Sequence, residues 1–142
     1  MALAPETDLA GELRLASMRL ARRLRLERDS DDLTLSQLGV LGTLERHGAS
    51  TVGELAQLER VKPPSMTRIV NSLVEATLAA RRPHDLDGRQ VIVDLTDTGR
   101  SLVLEDRRRR NAWLAIRISE LTDDERELLG RVAPLLDRLA SS

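Results

Sequence analysis

The stretch Asp85-Leu86-Asp87-Gly88-Arg89-Gln90-Val91-Ile92-Val93-Asp94-Leu95-Thr96-Asp97-Thr98-Gly99 decides the fold of this chain. It reads as an acidic turn tipped by an arginine, then a short strand, then the capped start of a helix. Val91, Val93 and Leu95 alternate with Ile92 and Asp94, the period-two pattern of a strand with one face inward. Asp87-Gly88 is expected to make the turn through a positive glycine φ. Thr96 ends the strand as a helix N-cap, its hydroxyl able to accept an orphan amide of the following turn.

Working upstream, Thr51-x-x-Glu54 is a capping box, so a short helix should begin near Val52, with Leu55 and Leu58 as its apolar points. A second helix should start at Pro63-Pro64, because proline is tolerated where the first helical amides have no partner anyway. Met66, Ile69, Val70, Leu73 and Val74 recur at three- and four-residue steps and form its buried stripe, leaving Ser65, Thr67, Arg68, Asn71 and Ser72 mainly on other faces. Two helices joined by a turn of a few residues make a helix-turn-helix, whose second member can lie in a major groove. That second helix is expected over residues 63–77, a length of about 22 Å at 1.5 Å per residue.

Helix-turn-helix, a hairpin with Asp-x-Arg at its tip, and Leu95-Thr96-x-x-Gly99 together resemble the multiple-antibiotic-resistance regulator (MarR) family. The resemblance covers nearly the whole chain and is most specific in Met66-Thr67-Arg68-Ile69-Val70 and in residues 85–99. It implies a homodimeric winged-helix transcription factor, in most cases a repressor, that releases a pseudo-palindromic operator on meeting a small molecule or an oxidant. By that match Lys62, Pro64, Ser65, Thr67, Arg68 and Asn71 are the expected DNA contacts of the recognition helix. Arg89 is expected in the minor groove, where a narrow A·T-rich groove has enhanced negative potential. Asp87 and Gly88 support the wing, Asp87 by orienting Arg89 or the turn, since a carboxylate near phosphate is repelled. The chain departs from the family at Lys62, where a small polar residue is common, and near Thr77, where glycine is common as the residue just past a helix end.

Composition bounds these expectations. The 142 residues fit a single domain (1–142) with the winged lobe over about 34–99 and the wing over 79–95. The apolar residues are almost wholly aliphatic, with one Trp and neither Phe nor Tyr. No apolar run approaches the roughly 20 residues needed to cross a bilayer, and no signal peptide is legible, so a cytoplasmic location is expected. Without cysteine there is no disulfide, no thiolate metal site and no thiol-based sensing of oxidants. His47 and His84 are read as helix-end and loop residues rather than metal ligands, so neither a metal nor a cofactor is expected.

The net charge of −1 argues against nucleic acid, but its distribution argues for it. Arg60, Lys62, Arg68, Arg81, Arg82 and Arg89 stand against Glu75, Asp85 and Asp87, which gives residues 60–90 a charge of +3 and the remainder −4. One basic face on an acidic body is the footprint of a phosphate-binding surface. Arg107-Arg108-Arg109-Arg110 spreads around a helix at about 100° per residue, so it is read as solvated or paired surface, with Glu105 and Asp106 as partners.

The outer segments read as association helices. Residues 8–28 align Leu9, Leu13, Ala16, Leu20 and Leu24; Thr34-x-x-Gln37 opens a helix with Leu38, Leu41 and Leu44 that ends at Gly48. Residues 100–141 carry Leu102, Val103, Trp113 and Ile116, then a helix capped at Thr122-x-x-Glu125 with Leu128, Val132, Leu135 and Leu139; Pro134 predicts a kink near Gly130. The expected class is therefore mainly α with a small hairpin, in the order α-α-(β)-α-α-β-β-α-α. Twofold pairing through the terminal helices would cover their leucines, and an intramolecular bundle is the alternative. Resemblance further implies a small organic effector in a cleft between lobes, apolar or carboxylated given aliphatic and arginine neighbours. A winged-helix module that binds protein rather than DNA remains the competing function. An enzyme is disfavoured by the absence of Gly-rich phosphate loops and of histidine–carboxylate motifs.

Overall fold

Threonines set where helices begin. Thr34, Thr51 and Thr122 have extended backbones and accept the amide three residues on, from Gln37, Glu54 and Glu125 at 3.2, 3.1 and 3.2 Å. At Thr34 and Thr122 the reciprocal bond also forms, from the threonine amide to Gln37 Oε1 (2.7 Å) and Glu125 Oε2 (2.9 Å). At Thr51 only the threonine half of the expected box is present.

A computed structural model describes residues 5–28 and 33–142. Along the chain run α1 (Pro5–Arg25), α2 (Leu35–His47), β1 (Ser50–Thr51), α3 (Val52–Glu59), α4 (Pro63–Glu75), β2 (Ala79–Pro83), β3 (Val91–Leu95), α5 (Asp97–Ser119) and α6 (Asp123–Ala140), the order expected from the sequence. They fall into two compact units, residues 29–108 and residues 1–28 with 109–142. No helix among the described residues is long and apolar enough to cross a membrane.

In the unit of residues 29–108 the sheet is antiparallel, ordered β1-β3-β2, with Ser50 opposite Val93 and Ala79–Pro83 paired in turn with Leu95–Val91. Its core is aliphatic: Val40, Leu41 and Leu44 of α2, Leu55 and Ala56 of α3, Met66, Val70 and Leu73 of α4, with Leu78, Ala79, Val93 and Val103. In α2 and α4 these residues include pairs three or four apart, which share one face of the helix, while α3 contributes the adjacent Leu55 and Ala56. In the other unit, α1 and α6 bury no residue, and Arg23 and Arg117 each lie over the Trp113 ring, 4.7 and 4.9 Å from its centroid.

Several expectations are corrected. The recognition helix α4 ends at Glu75, not at 77, because Thr77 turns into the left-handed region at φ 59°. The Leu78 amide then reaches Leu73 O (2.9 Å) and the Thr77 amide reaches Val74 O (3.0 Å), the paired bonds of a Schellman stop, with Leu73 and Leu78 both in the core. The chain thus makes the family's glycine turn with a β-branched residue. Gly88 does not adopt a positive φ; the wing turn is closed by the Gln90 amide on Asp87 O at 3.0 Å, a geometry that does not need glycine's freedom.

On β3 the inward pattern holds at Val93 and Leu95 but not at Val91, which is exposed at the hairpin end. Ile92, on the opposite face, is only 8 % exposed, flanked by its cross-strand neighbours Thr51 and Arg82. Leu58 is exposed, since the inward arc of α3 is centred on Leu55 and Ala56. α1 spans residues 5–25 rather than 8–28, and α6 runs unbroken through Pro134.

Candidate nucleic-acid interface

The turn between α3 and α4 is another left-handed stop. Arg60 takes φ 53° and the Val61 amide returns to Ala56 O at 2.9 Å, so three residues, 60–62, connect the two helices. Lys62 is the N-cap of α4 and makes no side-chain cap. Pro63 and Pro64 have no amide hydrogens, and the Met66 amide closes on Lys62 O at 3.0 Å. The start of α4 therefore presents a cation and a positive helix end together.

Opposite the buried Met66, Val70 and Leu73, the residues Pro64, Thr67, Arg68 and Asn71 occupy an arc of about 100° on α4, and all four are exposed. Ser65 lies at the edge of that arc, half-buried. The Thr67 hydroxyl donates to Pro63 O at 3.1 Å. The side chains of Lys62 and Arg68 have no hydrogen bond or ion pair among the described residues. Ser72, expected on the polar side, is half-buried and ties α4 to α2, accepting from Gln37 Nε2 at 2.9 Å and donating to Ile69 O at 2.7 Å.

The wing loop is organised by two residues with different jobs. His84 Nδ1 accepts the amides of Leu86 (3.0 Å) and Asp87 (3.1 Å), which folds the loop over the imidazole. Asp87 Oδ1 accepts both the amide (3.1 Å) and the Nε (3.3 Å) of Arg89. Arg89 is held at its base and its side chain is still 92 % exposed. His84 is thus a loop residue, and His47 ends α2, as expected of both.

Of the basic residues between 60 and 90, Arg82 pairs with Asp85 at 3.3 Å, and Arg81 donates to Asn71 Oδ1. The Arg81–Asn71 bond fastens β2 to the exposed face of the recognition helix. The sequence alone places Arg81 only in the basic face and His84 only in a loop, without the positioning role of either. Arg81 is one of two adjacent arginines, and only the strand register and the helix end reveal which one reaches α4; nothing local in the sequence shows that His84 accepts two loop amides.

The arginine run stays on the body of α5. Arg108 pairs with Glu105, as anticipated, but Arg107 crosses to Glu45 on α2, a partner 62 residues away. The Arg107 guanidinium holds the Glu45 carboxyl below its ordinary value, with Arg46 and Arg100 adding to the effect against the opposing cost of burial.

Comparison with known proteins points one way. The sequence pattern of the MarR family matches residues 31–90. An HTH-type transcriptional regulator of Mycobacterium tuberculosis is 47% identical over 131 residues, covering 92% of each chain. The HTH-type transcriptional repressor MdtR of Bacillus subtilis is 31% identical over 122 residues, 83% of this chain and 79% of its own. Among solved structures, the crystal structure of RV1404 from Mycobacterium tuberculosis superposes with a TM-score of 0.89 at 26% identity, covering 99% of this chain and 97% of that one.

Proposed function

This chain belongs to the MarR family of transcriptional regulators, and we propose that it is a ligand-responsive repressor that binds a pseudo-palindromic operator as a homodimer. The observation that carries the reading is the pairing of Lys62 and Arg68, whose side chains have no partner among the described residues, with Arg89 held outward at the wing tip. Lys62 and the start of α4 clamp phosphate. Pro64, Ser65, Thr67, Arg68 and Asn71 face the major groove, and Arg89 enters the minor groove beside it. Asp87 stays with Arg89 and off the DNA, while Gly88 leaves the turn slim enough to approach. Repression in particular is supported by the relative named as a repressor.

The dimer is supported by apolar surface that one chain leaves uncovered. Neither α1 nor α6 buries a residue, and Leu9 and Leu139 are 62 % and 64 % exposed. A twofold pairing covers these stripes and sets two recognition helices about 10 base pairs apart. A chain without cysteine takes its signal from an organic ligand rather than from thiol oxidation.

The test is a gel-shift titration on the DNA flanking the gene, at several salt concentrations, with sedimentation of the free protein. A salt-dependent specific complex of a dimer is expected. Arg68→Ala and Arg89→Ala should each weaken it by about 1–3 kcal/mol if they reach base edges, with unchanged helical signal. Wild-type affinity in both variants, or affinity indifferent to salt, would sink the reading and favour the protein-binding alternative.

A further inference from the structure

The helices α2, α3 and α4 border a cavity of about 220 Å3 that is open to solvent on one side. Its walls are aliphatic, from Val40 on α2, Val61 in the turn, and Met66 and Ile69 on α4. Leu35 and two polar residues, Ser36 and Glu59, complete the lining.

Glu59 is placed rather than loose. Its carboxylate accepts the hydroxyl of buried Thr43 on α2, and its Oε2 lies where a β-carbon at position 39 would approach to 2.9 Å. Gly39 and Thr43 are one helical turn apart, so a missing side chain and a donor together seat the carboxylate against α2. It makes no ion pair among the described residues, and the last turn of α3 contains no basic residue. Glu59 also closes α3 at its C-terminal end, where the helix dipole is negative. Two sources of negative potential therefore meet at an apolar cavity, and a half-buried carboxylate without a counter-charge is costly.

We propose that this cavity is a binding site for a small organic cation, a single-ring ammonium compound with its charge on Glu59 and its ring between Val61, Met66 and Ile69. The size sets the ligand. A dry cavity of about 150 Å3 admits benzene, whereas sites for drug-sized molecules begin near about 300 Å3. Ser36 offers the ammonium a second acceptor, and a carboxylate ligand is repelled by Glu59. The occupant lies against α4 and the turn before it. Its effect on DNA rests on the operator reading above, but the site does not.

The experiment is calorimetric titration of the full chain, without DNA, by benzylammonium, benzyl alcohol and benzoate at neutral pH. Benzylammonium should bind saturably at one site per chain, benzyl alcohol at least tenfold more weakly, and benzoate not at all. Glu59→Gln keeps the bond to Thr43 and should erase the advantage of the cation over the alcohol. Ser36→Phe, which sets a ring at the cavity mouth from an exposed position, should abolish both, and it serves as the test should the first variant fail to fold. Absence of saturable benzylammonium binding, equal binding of the alcohol, or binding unaltered by both substitutions would overturn the proposal.

Discussion

The carbonyl oxygen of Leu78 occupies the space that a β-carbon on Gly99 would need. The same oxygen accepts the Thr96 amide at 3.2 Å, while the Thr96 hydroxyl donates to Thr77 O (2.6 Å) and accepts the Gly99 amide (3.0 Å). The first turn of α5 is thereby pressed flat against the end of the recognition helix. Gly99 is there for close approach, not for turning, since it lies within regular helix.

Replacing Gly99 by Ala should accordingly cost about 3 kcal/mol or more, because backbone rather than a flexible side chain must move. Urea unfolding measures it. A variant within about 0.5 kcal/mol of wild type, the usual range for surface substitutions away from special features, would mean that the close contact relaxes freely.

Thr77→Gly should act in the opposite direction. A left-handed β-branched residue is strained by about 1–2 kcal/mol, against which glycine loses about 0.5–1 kcal/mol of chain entropy. A net gain of up to about 1.5 kcal/mol is expected, read as a higher urea midpoint at unchanged slope. A lower midpoint would show that the bond from the Thr77 hydroxyl to Ala76 O outweighs the strain.

Arg81 and Asn71 should behave as one unit in DNA binding. If Arg81 positions Asn71, then Arg81→Ala and Asn71→Ala each weaken operator binding and the double variant loses less than their sum. A coupling of about 0.5–1.5 kcal/mol is expected for one such bond. Strict additivity in a gel-shift cycle would assign Arg81 a phosphate contact of its own.

The Glu45–Arg107 pair makes an acid-sensitive contribution to stability. The Glu45 carboxyl is depressed in the folded chain below its ordinary value of 4.5, chiefly by the bond from Arg107. A depressed acid binds fewer protons folded than unfolded, so its stabilisation is complete above the unfolded value and is lost as pH falls through the folded one. The stability gap between wild type and Glu45→Gln should therefore be constant near neutrality and shrink on acidification below 4.5. Equal gaps on both sides, from denaturant melts across that range, would contradict the pairing.

What could be read in the chain by itself was what depends on residues close in sequence. Thr34, Thr51 and Thr122 cap helices through bonds that span three residues, the two prolines open α4, and Asp87 holds Arg89 across two. The helix-turn-helix, the wing and the side chains facing outward from them follow from such local rules, because helical and strand periodicities decide which side chains share a face. Tertiary structure decided the rest. Which arginine reaches Asn71 depends on strand register, the partner of Arg107 lies 62 residues away, and Gly99 is required by the Leu78 carbonyl in the turn before β2. The cavity beside Glu59 exists only once three helices have packed. Each of these depends on where two elements meet in space, and periodicity along one element contains no information about its distance from another.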